Sequence, residues 1–487
     1  MRPLLIRPRF PFALGALGAL GILAAGCADA PEHTGPHELR HVFLISLDTL
    51  RADACSLYGY EKPTTPVLDQ FAADRGVVFE NHTVNSNNTL TSHATMLTGL
   101  LMMVHGTEDR GRDRTALAPE IDTVAERFQA ADFETAAFTT HPVWLSPNFG
   151  FDQGFDHFET EWTDAPDVND RLLTWIDRDK PRKIFAFLHY YDAHSEGQGQ
   201  IPYDAPEAYM QQFAPPRPKD FKPVEEDGRG KPAAASKLLD LYNQPDRDFP
   251  KEHIEWLRGC YDAGIAKLDA DLGDLFAELD ERGILDESLI IITSDHGEEF
   301  EDHGGMLHSS YYDEIMHVPL IIAPPTGTEI PRKRVTDASR CIDLSATMLD
   351  LVGLEPFDPS QGRSLAPVLR GETLDFAGTL FGRGVMRDQD ELSLYKLISS
   401  KDNPVFYDLD SDPGELVNQM ESAEFKKASA QRLLEASKGL RDARRECDLL
   451  RAKINAASGS GPALNPKQLA DLKALGYLGD EDDEEEE

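Results

Sequence analysis

Acidic residues and histidines stand at or shortly after the ends of three apolar runs, residues 42–45, 184–188 and 289–292. They are Asp48, His189, Asp192, His194, Asp295, His296 and, further along, His308. Carboxylate oxygens and imidazole nitrogens, without a thiolate, suit a divalent ion such as zinc, manganese, calcium or magnesium. A single such residue after a strand is more often a helix cap or a packed polar group. The combination of residues therefore carries the prediction of a metal site.

A run of polar residues, residues 87–93 with the sequence NNTLTSH, precedes an apolar helical stretch. A hydroxyl directly before a helix would lie where backbone N–H groups and the helix dipole favour an anion. The other interpretation is that Thr91 or Ser92 is the N-cap of that helix, with no part in catalysis. The local pattern by itself favours the capping interpretation.

The elements that must position these residues are short strands alternating with helices. The runs 42–45, 184–188, 289–292 and 318–322 are continuous and apolar, which is typical of strands buried on both faces. Leucines and other apolar residues spaced by threes and fours predict a helix over 257–279 that ends before Gly283. The alternation predicts an α/β fold with a mostly parallel central sheet and helices on both faces. Open sheets of this kind build their sites at the carboxyl ends of the strands.

The N-terminus has the pattern of an export signal. Three arginines precede the apolar run 12–23, which is too short to span a bilayer, and the run ends in the sequence LAAGC at residues 23–27. This ending resembles the bacterial lipobox, which predicts a lipoprotein signal peptide over 1–27, lipidation of Cys27 and a tether over 28–38. The alternative is an ordinary cleaved signal. We expect an exported protein held to the membrane only by its lipid anchor, on the periplasmic or cell-surface side.

Composition excludes some classes of partner. The formal net charge of −38 argues against binding to nucleic acid, or to an anionic membrane surface through charge. The other four cysteines, Cys55, Cys260, Cys341 and Cys447, are far apart and form no CxxC pair, so no zinc ribbon is indicated, and one disulfide remains open.

The chain divides into a large and a small part by pattern. A catalytic domain is predicted over 39–375, with a Gly- and Pro-rich loop or insertion at 196–250. Strand-like runs at 394–398 and 405–407, followed by a charged helix over about 422–454, predict a small C-terminal α+β subdomain over 376–479. Residues 480–487 are uniformly acidic and are predicted to form a solvated tail.

Many short motifs along the chain, in order, resemble the sulfatase family within the alkaline phosphatase superfamily. The resemblance covers roughly residues 39–479 and implies an alkaline phosphatase-like fold. The matching segments are LDTLRAD (47–53), YGY (58–60), TP (65–66), TLTSHATMLTG (89–99), HYYDAH (189–194), TSDHGE (293–298), VPL (318–320), DL (343–344), GRSL (362–365), YDL with DP (407–409, 412–413) and LGY (475–477). Because so many matches occur in order, they favour a catalytic role for Thr89 over the interpretation in which this stretch only caps the helix.

By position, the resemblance implies roles for individual residues. Asp48, Asp295 and His296 would be ligands of a divalent ion, and Thr89 would be the nucleophile and a further ligand of that ion.

The resemblance also implies a second group of residues around the reacting centre. His194 and His308 would face the reacting group or bind a second ion. Asp192 matches less well as a ligand, because two-metal relatives place a longer gap between that aspartate and its histidine. His141 would contact the anion or the leaving group.

One departure from the family decides the expected chemistry. Sulfatases convert a Cys or Ser in a Cys/Ser-x-Pro-x-Arg motif to formylglycine, whereas residues 89–93 here are TLTSH, so no formylglycine is expected. A plain threonine ester must be cleaved by a second nucleophile, and two cations suit a phosphoryl group. We therefore expect one or two divalent ions and hydrolysis or transfer of phosphate mono- or diesters of a small molecule, glycan or lipid. A sulfatase without formylglycine, and a catalytically silent binding lipoprotein, are the alternatives. The retained ligand set argues against the silent protein.

Overall fold

The structure is a computed structural model. It describes residues 37–110, 113–195, 201–221, 239, 250–375, 378–382, 384–389, 393–399, 404–421 and 430–454. Several predicted segments lie outside the described residues: the signal peptide with Cys27, most of the tether, most of the loop 196–250, the LGY motif at 475–477 and the acidic tail.

The described residues form strands and helices that alternate over most of the chain. The strands are β1 His41–Leu47, β2 Val77–Phe79, β3 His82–Thr83, β4 Glu108–Arg110, β5 Asp113–Thr115, β6 Glu134–Thr139, β7 His157–Thr160, β8 Ile184–Tyr190, β9 Ser288–Thr293, β10 Glu299–Phe300, β11 Met306–Leu307, β12 Leu320–Ala323, β13 Arg334–Val335, β14 Ser339–Arg340, β15 Thr379–Phe381, β16 Val385–Gln389, β17 Leu394–Ile398 and β18 Val405–Asp408. The helices are α1 Pro66–Arg75, α2 Thr89–Thr98, α3 Met102–His105, α4 Val124–Ala130, α5 Ala165–Asp179, α6 Glu207–Phe213, α7 Lys251–Glu281, α8 Asp313–Met316, α9 Asp343–Leu351, α10 Ala366–Leu369 and α11 Ala430–Ile454.

Eight strands form the central sheet, in the order β13-β2-β12-β9-β1-β8-β6-β7. The five strands from β9 to β7 are parallel to one another, and β12 is antiparallel to both of its neighbours. The prediction of a mostly parallel sheet is confirmed. As a consequence, the carboxyl ends of β9, β1, β8, β6 and β7 lie along one edge.

Both faces of this sheet are covered by helices, as predicted. Side chains alternate along a strand, so β1 sends Phe43, Ile45 and Leu47 into one apolar cluster, and Val42 and Leu44 into another. The first cluster includes apolar residues of α1, α5 and α7, and the second includes residues of α2, α4 and α9. All seven residues of β1 are buried, which explains why its sequence is a continuous apolar run.

The long helix α7 ends where its sequence predicts. It stops at Glu281, and Gly283 follows with a φ of 68°, a left-handed conformation that glycine adopts without steric cost. Its apolar spacing packs one side of the helix against the sheet. Among the described residues, no helix is long and apolar enough to cross a membrane.

The C-terminal region contains a second, antiparallel sheet of β15, β16, β17 and β18. Tyr395, Leu397 and Phe406 of this sheet pack with Ala436 and Leu440 of α11. The strands predicted at 394–398 and 405–407 are confirmed, and the predicted helix is described from residue 430 onward. The described residues belong to one compact unit, so the domain boundary at 375 stays a prediction.

Cys55, Cys260, Cys341 and Cys447 are all buried and free. The disulfide that the sequence left open is therefore not formed between any of these four residues.

Candidate active site

The loop after β1 holds Asp48 at the centre of the carboxyl edge of the sheet, with no exposed surface. The next residue, Thr49, has a φ of 58°, which is unfavourable for a β-branched side chain. Hydrogen bonds hold this turn: Thr49 N donates to Asp295 Oδ1 at 3.3 Å, and the Tyr261 hydroxyl donates to Thr49 O at 2.8 Å. Leu50 N donates to Ser294 Oγ at 3.0 Å. The turn is thus fastened to the loop after β9, which carries Asp295.

His189, at the end of β8, orients the Asp48 carboxylate. Its Nε2 lies 3.0 Å from Asp48 Oδ2, and the Thr140 hydroxyl lies 3.0 Å from its Nδ1. Because the carboxylate can only accept, Nε2 carries the proton and Nδ1 accepts from the threonine. Burial lowers the pKa of His189 to about 4, so the ring is neutral at neutral pH. One carboxylate oxygen of Asp48 is fixed in this way, and the other is left to face the site.

Thr89 is the first residue of α2, and the cap of this helix is Asn88. The Asn88 side chain accepts from Thr91 N at 3.3 Å. The sequence-based alternative, that Thr91 or Ser92 caps the helix, is wrong: the Thr91 hydroxyl donates to Thr107 O at 3.3 Å, and the Ser92 hydroxyl donates to Asp295 O at 2.6 Å. Thr89 is buried and its hydroxyl makes no capping contact, so its position at the helix N-terminus is left open for an anion.

The neutral ring of His93 connects α2 to β1. Its Nδ1 lies 2.8 Å from Thr89 O, and its Nε2 lies 2.8 Å from the Ser46 hydroxyl. A carbonyl oxygen can only accept, so Nδ1 donates and Nε2 accepts. Burial lowers the pKa of His93 to about 3. His93 therefore fixes the backbone of the residue whose hydroxyl faces the site.

The side chain of His296 directs a lone pair at a group of oxygens. Its Nδ1 donates to Gly297 O at 3.0 Å, so in the neutral ring Nε2 is unprotonated. This Nε2 lies 3.3 Å from Thr89 Oγ1, 3.4 Å from Asp295 Oδ2 and 4.0 Å from Asp48 Oδ1. Asp48 Oδ1 and Asp295 Oδ2 are buried, and among the described residues neither has a hydrogen-bond partner within good geometry.

Two acidic oxygens without donors, an imidazole lone pair and a hydroxyl match the donor set of a divalent cation. Asp48, Asp295 and His296 each offer a ligand atom within 4.8 Å of the others. Burial, and then the nearby Asp295 carboxylate, raise the pKa of Asp48 well above its usual value. A cation between the carboxylates would remove this conflict.

His93, His189 and Asp295 form another group with metal-ligand spacing. His93 Nδ1 and His189 Nε2 carry the ring protons and donate them to Thr89 O and Asp48 Oδ2. A protonated nitrogen has no lone pair for a cation. The group of Asp48, Asp295 and His296 therefore fits a cation better.

His308 lies next to this group and is held by a carboxylate. The centroid of its ring lies 4.3 Å from the centroid of the His296 ring, and its Nδ1 lies 3.2 Å from Glu298 Oε1. Glu298 is fully buried, and its Oε2 has no hydrogen-bond partner. Burial lowers the pKa of His308, but the Glu298 carboxylate outweighs this effect and the net pKa lies above its usual value. With Nδ1 bonded to Glu298, Nε2 is the atom of His308 available to a substrate or ion.

His194 lies next to His308. The two ring centroids are 5.6 Å apart, and His194 stacks on Tyr191 with centroids 4.1 Å apart. Its nitrogens lie 3.3 Å from the hydroxyls of Tyr191 and Ser195. Burial, followed by the nearby His308, lowers the pKa of His194 well below its usual value.

Asp192 is not brought into this group. Its Oδ1 accepts from Lys267 Nζ at 2.8 Å and from Ala165 N at 3.2 Å. Lys267 comes from α7, which is distant in sequence, so the ion pair fastens α7 to the loop after β8. Asp192 Oδ2 is buried and, among the described residues, has no hydrogen-bond partner. A role of Asp192 as a metal ligand therefore stays a prediction.

His141, after β6, lies within the same polar region. Trp144 N donates to its Nδ1 at 3.1 Å, which leaves the proton of the neutral ring on Nε2. Burial, followed by the nearby His189, lowers the pKa of His141 well below its usual value. A neutral ring with a proton on Nε2 can donate a hydrogen bond to an anion.

The family is shown by a comparison with protein-family models, in which the sulfatase model matches residues 40–354. The chain belongs to the sulfatase family.

Relatives within this family differ in the activity that their names state. The multifunctional alkaline phosphatase superfamily protein PehA of Trinickia caryophylli is 28% identical over 293 residues, which are 53% of this chain and 55% of that protein. The chain thus spans about half the length of this relative. Arylsulfatase K of Gallus gallus is 24% identical over 450 residues, 82% of each chain.

Among solved structures, a phosphonate monoester hydrolase of Agrobacterium radiobacter aligns with a TM-score of 0.63 and 21% identity, covering 83% of this chain and 96% of that one. This similarity shows the alkaline phosphatase-like fold that the sequence predicted.

Two residues of this sulfatase-family site, His93 and Glu298, were given no role from the sequence, and His189, expected among the metal-site residues, instead orients Asp48. Each lies in a segment that drew attention: His93 in the TLTSH stretch, His189 at the end of a buried strand and Glu298 in TSDHGE. Their task is to orient other side chains through contacts between distant segments. No spacing rule specifies such contacts, and a histidine or carboxylate directly beside an expected ligand was the only available signal.

Proposed function

We propose that this sulfatase-family chain is a metal-dependent ester hydrolase or transferase that acts through Thr89, chiefly on phosphate mono- or diesters. The observation that carries the proposal is the position of the Thr89 hydroxyl. It lies at a helix N-terminus, 3.3 Å from His296 Nε2 and beside two buried carboxylate oxygens that lack donors. A threonine hydroxyl is a weak nucleophile unless its proton is removed or its oxygen is held by a cation.

Different residues of the site would have different roles in such a reaction. Asp48, Asp295, His296 and Thr89 would hold a divalent ion, which lowers the pKa of the threonine hydroxyl and balances the charge of the transferred group. Thr89 Oγ bonds to phosphorus while the bond from phosphorus to the ester oxygen breaks, and the threonine proton passes to the leaving oxygen. The N–H groups at the start of α2 stabilise the anion.

The second step must release the group from Thr89. Water or an acceptor alcohol bonds to phosphorus, the bond to Thr89 Oγ breaks, and the proton of the attacking oxygen returns to Thr89. His194 and His308 are positioned to take part, either by contacting the attacking and leaving oxygens or by holding a second divalent ion. The proposal leaves zinc, manganese, calcium and magnesium as possible ions.

Phosphate esters are favoured over sulfate esters by the chemistry of residue 89. Without formylglycine, release depends on a second nucleophile, and cations suit the higher charge of a phosphoryl group. The similarity to arylsulfatase K supports a sulfate-ester hydrolase as the second candidate. The complete ligand set at Thr89 argues against a silent binding protein.

Rapid quenching and peptide mass spectrometry test the role of Thr89. A phosphoryl adduct on the peptide containing Thr89, and loss of turnover in a folded Thr89→Ala variant, are the expected results. Thr91→Ala is the matched control, because Thr91 lies on the same helix and, in the part of the chain that the structure describes, its hydroxyl donates to Thr107 O, away from the site residues. Full activity in folded Thr89→Ala would refute the mechanism. A sulfuryl adduct, distinguished by accurate mass or a labelled substrate, would keep the nucleophile and replace phosphate by sulfate.

We further propose that the chain is exported and anchored through an acylated Cys27, so that its substrate is a small molecule, glycan or lipid ester outside the cytoplasm. The support is the LAAGC sequence at residues 23–27. Cys27→Ser should abolish lipid labelling and release the protein from membranes. Unchanged lipid incorporation in this variant would exclude the anchor.

A further inference from the structure

An exposed tryptophan lies at one end of the active-site edge of the sheet. Trp162 follows β7 by two residues, and β7 is the outermost of the five parallel strands. The carboxyl ends of these strands also carry His141 and Asp48, so Trp162 lies on the same edge as the site. It is 37% exposed, whereas Tyr191 is 5% exposed and His141 is fully buried.

Trp162 contacts two residues of the site directly. Its ring centroid lies 4.6 Å from that of His141 and 5.7 Å from that of Tyr191. Tyr191 in turn stacks on His194, which lies beside His308. A row of rings therefore runs from the exposed tryptophan to the histidines beside Thr89.

Trp162 also lies next to the residue that is expected to meet the leaving group. In-line displacement places the leaving oxygen on the side of phosphorus opposite to the attacking Thr89 oxygen. The family resemblance predicts that His141 contacts the anion or the leaving group, and the ring centroids of His141 and Trp162 lie 4.6 Å apart. A leaving group held at His141 would therefore reach the indole.

Single exposed apolar side chains are common and usually have no role. Trp162 differs in its surroundings. Among the described residues, it belongs to none of the apolar core clusters that cover the sheet, and its ring contacts are with His141 and Tyr191. Core packing therefore does not account for a tryptophan at this position.

We infer that Trp162 is a specificity-determining residue whose exposed indole face stacks on a ring in the leaving group of the ester. The substrate class is thus an ester of a ring-bearing alcohol, aromatic or pyranose, in preference to a short acyclic alcohol. This inference rests on the proposed function of the Thr89 site, which it extends from the reacting group to the leaving group.

The first test compares turnover of two esters that differ only in the ring. Benzyl and ethyl alcohol have similar acidity, so benzyl and ethyl phosphate present the same chemistry to Thr89. An aromatic stacking contact corresponds to about a threefold to tenfold preference. The ratio of kcat/KM for benzyl over ethyl phosphate should fall by about this factor in Trp162→Ala and be largely kept in Trp162→Phe. If the substitution also weakens the packing of His141, kcat/KM for both esters falls by the same factor and the ratio does not change.

A second test is independent of turnover. Calorimetry should find that benzylphosphonate binds wild-type protein about threefold to tenfold more tightly than ethylphosphonate, with Trp162→Leu abolishing the difference. The benzyl- and ethylsulfonate pair repeats the comparison for a sulfuryl site, and cyclohexylmethylphosphonate separates a requirement for an aromatic ring from a preference for any ring. Equal affinities within both wild-type pairs, or a ratio unchanged by Trp162→Ala, would overturn the inference. Binding with the expected preference but no turnover would keep it and reject the proposed reaction.

Discussion

Replacement of Asp48 by asparagine is expected to stabilise the metal-free protein and to abolish its stabilisation by metal. Asp48 Oδ1 and Asp295 Oδ2 are both buried and lack donors. The ligand atoms of this group lie within 4.8 Å of one another. Two unit charges at this distance repel by about 3 kcal/mol at an effective dielectric constant of about 20. Asparagine removes one charge and keeps an acceptor for His189 Nε2, whose bond to Asp48 is 3.0 Å long.

The gain in stability should be smaller than the full repulsion. The raised pKa of Asp48 lets the wild-type carboxyl group take up a proton, which already relieves part of the repulsion. We therefore expect the metal-free Asp48→Asn protein to be more stable than wild type by about 1–3 kcal/mol. With metal the order reverses. An ion at about 100 times its Kd stabilises the wild type by about 2.7 kcal/mol. The variant should lose this gain together with turnover.

Thermal unfolding in chelator, and then in a series of metal concentrations, measures both effects. Asp192→Asn is the matched control: this carboxylate lies at the same edge of the sheet but accepts from Lys267 Nζ at 2.8 Å. The control should lose about 1–3 kcal/mol of stability and keep the metal response. A metal-free Asp48→Asn protein that is less stable than wild type, with an undiminished metal response, would refute the assignment of Asp48 as a ligand. A lost metal response in Asp192→Asn would show that Asp192 is also a ligand.

Two further predictions concern residues around the site. His308→Ala should lower the number of bound ions by one if His308 binds a second ion; elemental analysis that finds one ion in both proteins, with slower turnover in the variant, would make His308 a direct contact of the leaving group. Lys396→Met should destabilise the protein by about 3–5 kcal/mol, because fully buried Lys396 Nζ donates to Asp313 Oδ1 at 2.7 Å and forms an ion pair with Glu415 Oε1 at 2.8 Å, and both carboxylates would lose their main cation. Denaturant unfolding checks this value, and adding Glu415→Gln should restore part of it; stability equal to wild type would mean that other groups already neutralise the two carboxylates.

The architecture was predictable because it depends on patterns that are local in the chain. Strands buried on both faces need continuous apolar runs, and β1, β8 and β9 contain them. The same logic placed Asp48 and Asp295 together, since parallel strands end at one edge of the sheet. The residues that could be assigned were those whose positions follow from strand order and family motifs.

The contacts of Asp192 and the cap of α2 could not be predicted from the sequence, for different physical reasons. Asp192 has the residue type and the position of a ligand, but α7 brings Lys267 to it from 75 positions further along the chain. At α2, Asn88, Thr91 and Ser92 are all good capping residues, so composition alone does not choose among them. The choice follows from tertiary contacts: the Ser92 hydroxyl is taken by Asp295 O, and Asn88 is left to cap.

The negative net charge of this protein is unfavourable for the anionic substrates of its proposed reaction. A chain with a formal net charge of −38 repels anionic esters at long range, yet ionic screening limits that repulsion to about 8 Å at physiological salt. Attraction must then come from groups inside the site. The N–H groups at the start of α2 and the proposed cation between Asp48 and Asp295 are both short-range and buried. An active site of this kind recognises an anion only after the anion has entered it, so contacts at its entrance, such as an exposed indole face, gain importance in the choice of substrate.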